Sequence, residues 1–260
     1  MLKAYAKINL SLFVTGLRED GFHEIRSVFL KIGLFDAIWI SPHSYPVVTT
    51  TSGPAGKDNI VWEALKNRPY RVHIKKNIPI GAGLGGGSSD AAAVLKFFEK
   101  KKAFESAPDI GSDVPFFIYE SNAAIVRGRG EVVEPFQVTK PFFVVLYNPE
   151  VEFSTASGYK LLKEKRLYYQ MDDANEKILE IKKILLQGNL HGLRQLIYNS
   201  FEEIQRESFI TEFKEFMRKM GACCALMTGS GSSLFAIFEE FPIELYKNNH
   251  DKFIFTSPVY

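Results

Sequence analysis

The chain has 260 residues, of which 46% are hydrophobic and 24% charged, and these values exclude a disordered chain, a collagen-like repeat and a disulfide-rich miniprotein. Its net charge is only +2, so no strong field would attract nucleic acid or an anionic membrane surface. The longest apolar stretches are far shorter than the ~20 residues of a membrane span, and we expect a soluble protein of one or two domains.

The first part of the chain is predicted to form strands and turns. Apolar residues at positions 8, 10, 12 and 14 share one face and Lys7, Asn9 and Ser11 the other, which predicts a half-buried strand. Lys7 and Asn9 then project together from the other face. An apolar-rich stretch follows at 25–40, and further predicted elements are strands at 47–51 and at 70–75 and a short helix from Asn59 towards residue 66.

The second part is predicted to be richer in helices. Apolar residues recur at helical spacing over 178–185, 190–197 and 209–220, and short apolar runs predict strands at 142–147, 223–227, 233–238 and 253–255. The fold class is therefore α+β. We expect an N-terminal lobe at 1–147 and a C-terminal lobe at 148–260. The adjacent Cys223 and Cys224 are unsuited to bridge each other, which predicts buried free thiols in a cytoplasmic protein.

A glycine-rich segment at 79–93 is the most informative part of the sequence. It contains five glycines in seven positions, Gly81, Gly83, Gly85, Gly86 and Gly87. A predicted strand precedes it, and an apolar stripe typical of a helix follows it, with Ser88 or Ser89 as the expected N-cap. Free N–H groups and the positive end of the helix dipole would converge there, so the segment predicts a phosphate site.

Two other interpretations of this segment stay open at this point. It is compatible with a flexible surface turn. Residues 81–86 also match the dinucleotide pattern G-x-G-x-x-G, with Glu105 near the expected acidic offset, although the preceding strand carries charges that a buried parallel strand would lack. A Walker loop is excluded because no Lys follows Gly87, and the protein-kinase motifs are absent.

Three segments in register resemble the superfamily named after galactokinase, homoserine kinase, mevalonate kinase and phosphomevalonate kinase. They are the glycine-rich segment 79–93, the N-terminal segment 6–10 and a second glycine motif at 227–233, which is expected to turn between two strands. Segments 20–24, 85–90 and 111–117 most resemble the branch of this superfamily that acts on a cytidine diphosphate alcohol. The likeness extends from about residue 3 to residue 238.

The resemblance implies a two-lobed small-molecule kinase fold with the active site in the cleft between the lobes. It implies ATP as phosphoryl donor, magnesium as cofactor, and phosphorylation of the 2-hydroxyl on the methylerythritol part of a cytidine diphosphate substrate in the non-mevalonate isoprenoid route. A monomer or weak homodimer without nucleic-acid or membrane partners is expected. The alternatives are another kinase of the superfamily, acting on homoserine or mevalonate, and a non-catalytic nucleotide-binding protein.

The resemblance also implies site residues. Asp113 matches the catalytic base, and Lys7 its cationic partner. The expected ATP-binding residues are Asn59, Gly81, Gly83, Leu84, Gly85, Gly86, Gly87, Ser88 and Ser89. The expected substrate-binding residues are Asn9, Phe22, His23, Thr155, Tyr159 and Asn199, with Phe22 and Tyr159 enclosing the cytosine and His23 hydrogen-bonding it. No protein ligand of the metal is predicted.

The sequence departs from the superfamily pattern in two places. Phe22 stands where a tyrosine is usual, which keeps a stacking ring but removes its hydroxyl. The segment between Lys102 and Asp113 is short and contains Pro108, so we expect little room for the helix that the superfamily usually has there.

Overall fold

The computed structural model describes all 260 residues. A six-stranded sheet forms the centre of the N-terminal half. Its strands are β1 (Leu2–Leu17), β2 (His23–Pro42), β3 (Val47–Thr50), β4 (Tyr70–Lys75), β5 (Ala123–Gly128) and β6 (Val132–Phe136). The long strand β2 pairs with β1 along one edge. Along its other edge it pairs with β4 at one end and with β5 at the other, and β3 and β6 extend the sheet outward.

The second sheet is smaller and wholly antiparallel. It consists of β7 (Phe143–Tyr147), β8 (Cys224–Met227), β9 (Leu234–Phe238) and β10 (Ile254–Thr256), in the order β10-β7-β9-β8. Because β7 belongs to the second sheet, the chain passes from the first sheet to the second between Phe136 and Phe143. This is a few residues before the lobe boundary expected after Tyr147.

Eight helices accompany the sheets. They are α1 (Val61–Leu65), α2 (Gly86–Glu99), α3 (Ala103–Ile110), α4 (Val114–Ile118), α5 (Thr155–Glu164), α6 (Met171–Gln187), α7 (Ser208–Lys219) and α8 (Ile243–Asn249). Short 3-10 helices lie at Gly56–Asp58, Lys100–Lys102, Leu190–Gln195 and Ser200–Glu203. None of the helices has the length and hydropathy to cross a membrane.

Two hydrophobic cores cover the two faces of the first sheet. One core joins Leu12 and Phe29 of this sheet to Leu95 of α2 and Phe116 of α4. The other joins residues such as Ile8 to α6 and to the second sheet. Burying apolar surface contributes roughly 25 cal/mol per Å², so both halves of the chain gain stability from the same two cores.

A β-bulge in β1 changes the predicted pattern of this strand. Asn9 pairs with Phe29, but the next partners are Ser11 and Val28, so Leu10 is an extra residue. Leu10 packs on the α6 side, whereas Leu12 packs on the α2 side. The prediction that residues 8 to 14 keep one apolar face is therefore wrong beyond Leu10. The bulge brings Leu12 to the face that carries Lys7 and Asn9, and all three line the same cleft.

Two further local expectations are wrong. The segment after Lys102 does form a helix, α3, because Ala103 and Ala107 are fully buried among apolar neighbours despite Pro108 in its last turn. The predicted helix over 190–197 is instead a 3-10 helix, Leu190–Gln195. A Cβ atom on Gly192 would lie 2.8 Å from Ile184 Cδ1, so this segment packs very closely on α6.

The strand that precedes the glycine-rich segment excludes the dinucleotide interpretation. β4 matches its predicted range but runs antiparallel to β2 and parallel only to the short β3. A dinucleotide fold needs a parallel sheet with this strand at its centre. The predicted strand at 47–51 is confirmed as β3 and the apolar-rich stretch 25–40 lies within β2, whereas β5 and β6 were not predicted.

Candidate active site

A single cleft of about 1090 Å³ contains most of the predicted site residues. Those that line it are Lys7, Asn9, Phe22, His23, Asn59, Gly81, Gly83, Leu84, Gly85, Gly86, Gly87, Ser88, Asp113, Thr155 and Tyr159. Ser89 and Asn199 are buried behind its wall. The cleft is also lined by residues that were not predicted, among them Lys76, Asp90, Arg129, Lys160 and Ser230.

The glycine-rich segment leads from β4 into the N-terminus of α2, as predicted. The helix starts three residues earlier than an N-cap at Ser88 would give, because Gly85 is the N-cap, with φ of +69°. Ser88 and Ser89 therefore lie in the first turn, and neither is the cap. The N–H of Ser89 donates to the carbonyl of Gly85 at 2.9 Å, so the N–H groups that remain for an anion are those of Gly86, Gly87 and Ser88.

Gly85 also lies against the side chain of Lys7. A Cβ atom at Gly85 would lie 3.0 Å from Lys7 Cγ and 3.1 Å from Phe117 Cζ. Positive φ and close packing both require glycine here. The loop can therefore rest directly on the lysine stem, which puts the ammonium group beside the N-terminus of α2.

The second glycine motif forms the turn between β8 and β9, as expected, and touches the first glycine segment through the main chain. A Cβ atom on Gly83 would lie 2.2 Å from the Thr228 carbonyl oxygen, and one on Gly229 would lie 2.9 Å from the Gly83 oxygen. The N–H of Ser233 donates to the Ala82 carbonyl at 3.3 Å. The two motifs thus form one double-layered wall of the cleft.

Lys7 and Asp113 form an ion pair inside the cleft. The Lys7 Nζ atom lies 3.5 Å from Asp113 Oδ2, and the lysine side chain is 4% exposed while that of Asp113 is 29% exposed. Lys7 also donates to Asn9 Oδ1 and lies 4.7 Å from the centre of the Phe29 ring. The ammonium is thus fixed from several sides, and the carboxylate keeps a free edge that faces the cleft.

Asn9 fastens the Lys7 side chain to the second glycine motif. Its backbone N–H donates to Thr228 Oγ1 at 2.9 Å, and its Nδ2 donates to Ser27 Oγ at 3.1 Å. The Oδ1 atom accepts from Lys7. These bonds occupy both ends of the amide, so Asn9 orients the Lys7 side chain from the floor of the cleft.

An aromatic group lies at the other end of the cleft. The rings of His23 and Tyr159 are stacked, with centres 4.6 Å apart and planes at 22°. Phe201 meets Tyr159 edge-on at 5.0 Å. Phe22 is 47% exposed, and the Arg129 guanidinium lies 4.7 Å from its ring centre. Tyr159 therefore stacks on His23, and the guanidinium of Arg129 lies over the ring of Phe22.

His23 has an unused hydrogen-bonding atom. Its Nε2 is buried and has no hydrogen-bond partner in the protein, and a buried polar atom of this kind carries a free-energy cost until a ligand or water pairs with it. Burial, with a smaller effect from Lys163, lowers the pKa of His23. Burial also raises the pKa of the Tyr159 hydroxyl, and the charge of Asp113 adds to the increase. Both rings are therefore neutral near pH 7.

Three other predicted residues are held by protein contacts. Thr155 Oγ1 lies 2.6 Å from Ser230 Oγ and links α5 to the second glycine motif. Asn59 accepts from the Val61 N–H at 2.9 Å, which orders the start of α1. Asn199 donates to the carbonyl oxygens of Met227 at 2.7 Å and Gly229 at 2.9 Å. Asn199 therefore holds the second glycine motif from behind.

A buried charge cluster lies under the N-terminus of α2. Lys76 Nζ donates to Asp90 Oδ2 at 2.8 Å and to Asp36 Oδ2, and Asp36 Oδ1 accepts from the N–H of Ile78 at 2.8 Å. Burial raises the pKa of Asp90 to about 7, and its Oδ1 has no partner. Burial alone would lower the pKa of Lys76, but the two carboxylates raise it. No local motif marked Asp36, which reaches the cluster only through sheet pairing.

Comparisons with known proteins find a family match in each half of the chain. Residues 58–121 match the family described as GHMP kinases N terminal domain, and residues 181–250 match GHMP kinases C terminal. The chain is similar to the 4-diphosphocytidyl-2-C-methyl-D-erythritol kinase of Thermotoga maritima, with 35% identity over 253 residues, which is 91% of each chain.

The fold is similar to solved structures of the same superfamily. A crystal structure of 4-(cytidine 5'-diphospho)-2C-methyl-D-erythritol kinase matches with a TM-score of 0.80 and 30% identity, over 100% of this chain and 99% of the other. The mevalonate kinase of Methanococcus jannaschii matches with a TM-score of 0.63 at 15% identity, over 100% and 98%. The second match supports the fold alone.

Proposed function

The chain belongs to the family of the 4-diphosphocytidyl-2-C-methyl-D-erythritol kinases, within the GHMP kinases, and we propose how its cleft carries out their reaction. The protein is an ATP-dependent small-molecule kinase that phosphorylates 4-diphosphocytidyl-2-C-methyl-D-erythritol, a cytidine diphosphate alcohol, in isoprenoid synthesis. We propose that the 2-hydroxyl of the methylerythritol part is the acceptor. The observation that carries the mechanism is the Lys7–Asp113 pair beside the N-terminus of α2.

The triphosphate of ATP is proposed to bind at the start of α2. The N–H groups of Gly86, Gly87 and Ser88 have no intrahelical partners, and the helix dipole adds positive potential at the same point. Gly83 and Gly85 let the main chain approach the phosphates without a side chain in the way. Asn59, at the edge of the same cleft, is proposed to lie near the adenine.

Asp113 is proposed to take the proton of the accepting hydroxyl. The hydroxyl oxygen then attacks the γ-phosphorus, the bond from that phosphorus to the β,γ-bridging oxygen breaks, and ADP leaves with the electron pair. Lys7 lies close enough to Asp113 to stabilise the carboxylate, and its charge also opposes the negative charge that develops on the transferred group. Asn9 keeps the Lys7 side chain in this position.

Magnesium is proposed to accompany ATP. The ion prefers oxygen ligands and commonly binds through substrate phosphates, one or two protein oxygens and water. Ser88 faces the cleft in the first turn of α2 and offers a hydroxyl oxygen there, so the available donors fit such an ion. When bound, magnesium would neutralise negative charge on the β- and γ-phosphates.

The cytidine end is proposed to bind between the aromatic side chains. Tyr159 offers a flat apolar face once His23, which stacks on it, turns aside, and the buried Nε2 of His23 is free to bond a base edge. Phe22 is exposed enough to cover the other face of the base once Arg129 moves aside. Homoserine and mevalonate carry no base, and these rings would have no partner in a kinase for either of them.

One assay tests the activity against the alternatives. Purified protein is incubated with ATP, magnesium and separate acceptors, which are the cytidine diphosphate alcohol, homoserine and mevalonate, and ADP release is followed. We expect ADP only with the cytidine diphosphate alcohol. ADP release with homoserine or mevalonate would reassign the substrate, and ATP binding without turnover on any acceptor would indicate a non-catalytic nucleotide-binding protein.

The remaining expectations are proposals of the same kind. We propose a cytoplasmic location, which is supported by two buried cysteines that are free thiols. We propose a monomer or weak homodimer, as the resemblance implies. Sedimentation velocity at several concentrations would measure that state.

A further inference from the structure

A cluster of three metal-ligating side chains lies in the C-terminal half, outside the kinase cleft. The ligand atoms of His191, Cys223 and Glu239 all lie within 4.8 Å of one another. The three residues come from separate elements. His191 belongs to the 3-10 helix Leu190–Gln195, Cys223 directly precedes β8, and Glu239 directly follows β9.

The backbone of the cluster is fixed by hydrogen bonds. The N–H of Cys223 donates to the Ile237 carbonyl at 2.8 Å, and Arg194 Nε donates to the Cys223 carbonyl at 3.2 Å. Glu239 Oε1 accepts from the N–H of Leu190 at 3.2 Å. These bonds hold the three elements together and orient the carboxylate, in the way that outer hydrogen bonds orient the ligands of metal sites.

The cluster has a buried floor and two exposed arms. Cys223 is 1% exposed, whereas the side chains of His191 and Glu239 are 68% and 42% exposed. His191 Nε2 already lies 3.6 Å from Glu239 Oε2. The buried thiol forms the base of the cluster, and the two exposed side chains can move to meet an ion beside it.

The chemistry of these donors selects the metal. Thiolate, imidazole and carboxylate are the ligand types of zinc, and neighbouring donors in a tetrahedral zinc site lie about 3.5 Å apart. Rotamer changes of about 1 Å by His191 and Glu239 would close the present triangle to that size. We propose that His191, Cys223 and Glu239 form a zinc-type metal site, with water as the fourth ligand.

This site is separate from phosphoryl transfer. Cys223 and Thr228 lie at opposite ends of β8, about 17 Å apart at the usual rise of a strand. A soft thiolate ligand also distinguishes the site from a magnesium site, because magnesium prefers oxygen. A bound ion would tie the 3-10 helix Leu190–Gln195 to the second sheet, so its effect is on stability.

Cobalt(II) and zinc are the probes for this proposal. The full chain is stripped with a chelator and titrated with cobalt(II), and a thiolate-to-cobalt charge-transfer band in the near ultraviolet is expected at one ion per chain. Cys223→Ser should abolish the band, and Cys224→Ser should keep it because Cys224 lines a different groove, beside α7. Zinc should displace cobalt and raise the melting temperature of the wild-type chain, and magnesium should do neither.

A pair of surface variants keeps the test independent of folding. His191→Ala should weaken cobalt binding at least tenfold, whereas His250→Ala, another exposed histidine of the same half, should leave it unchanged. Absence of the charge-transfer band in the wild-type chain would overturn the proposal. A band that persists in Cys223→Ser, or a cobalt affinity that is equal in the two histidine variants, would also overturn it.

Discussion

Gly83 and Thr228 touch through their main chains, and this contact joins the two glycine motifs of the active site. A Cβ atom on Gly83 would lie 2.2 Å from the Thr228 carbonyl oxygen, a distance that no side chain tolerates. Thr228 in turn accepts from the N–H of Asn9, which holds Lys7. The double-layered wall of the cleft and the Lys7 side chain are therefore parts of one rigid unit.

Gly83→Ala should separate the two motifs and remove most activity. The φ of +76° alone makes a side chain costly, on the order of 1–3 kcal/mol, and the contact with Thr228 adds to that cost. We expect a lower free energy of unfolding and a raised KM for ATP, measured by denaturant titration and steady-state kinetics. Gly16→Ala is the matched control, because nothing lies within 4 Å of its Cβ position. Equal effects of the two variants would contradict this account.

Asp113→Asn and Lys7→Ala should each remove turnover and keep the fold. Loss of a general base lowers kcat by about 10²–10⁴-fold, and we expect KM for ATP to change little in Asp113→Asn. The Asp113 side chain precedes α4 without capping it, so its replacement by Asn costs no helix cap. Circular dichroism and steady-state kinetics test both points. Near-wild-type kcat in either variant would remove that residue from the mechanism.

Tyr159→Ala should weaken binding of the cytidine substrate far more than binding of ATP. Stacking of a base on an aromatic ring contributes about 1–3 kcal/mol, so we expect KM for the cytidine substrate to rise by about 10–100-fold. Tyr159→Phe keeps the ring and should stay close to the wild type. Separate KM measurements for the two substrates decide the point, and small equal increases in both would argue against stacking.

Asp90→Asn should change how stability depends on pH. Burial raises the pKa of Asp90 from 3.8 to about 7, so between about pH 4 and about pH 7 the folded chain keeps a proton that the unfolded chain has released. The unfolded state then binds fewer protons, and the free energy of unfolding falls as pH rises through this window.

The Asn variant lacks this titration, and its profile should be flatter than that of the wild type over the same window. Urea denaturation at a series of pH values measures both profiles. Asp109→Asn, an exposed carboxylate of α3, is the control. Parallel profiles for wild type and Asp90→Asn would mean that Asp90 does not titrate in this range.

Asn199→Ala tests whether Asn199 supports the second glycine motif or contacts the substrate directly. Its Nδ2 donates to the carbonyl oxygens of Met227 and Gly229. Each buried carbonyl left without a partner lowers the free energy of unfolding by about 1–3 kcal/mol. We therefore expect a lower free energy of unfolding and increases in KM for both substrates. Asn248→Ala on the exposed side of α8 should change neither. An increase in KM for the cytidine substrate alone, at unchanged stability, would favour the direct contact that the resemblance implied.

The sequence was most informative where a motif is local. The glycines and the helix that follows them are adjacent in sequence, so the loop and α2 were predictable. Asp36 was not predictable, because only the pairing of β2 with β4 brings it to Lys76. The α3 helix was missed for a related reason, since burial of Ala103 and Ala107 outweighs the unfavourable Pro108.

Local sequence patterns also failed to predict which face of β1 each residue occupies, the strand β6, and the position of Arg129 in the cleft. A bulge at Leu10 reverses the alternation of β1, and alternation alone contains no signal for it. β6 was missed because it contains Pro135, which only an edge strand tolerates. Arg129 was not predicted to line the cleft. It lies between two glycines in a turn, and a cationic residue in such a turn was the local signal that could have indicated it.

Both hydrophobic cores contain residues of both sheets. This limits how the enzyme can be divided into separately folded fragments. Helix α6 comes from the C-terminal half but packs Ile178 and Ile181 beside Ile8 and Leu30 of the first sheet. A fragment that ends at residue 147 would leave that side of its sheet bare to water. The halves are therefore poor candidates for separate expression, and two co-expressed fragments should reassemble or precipitate together.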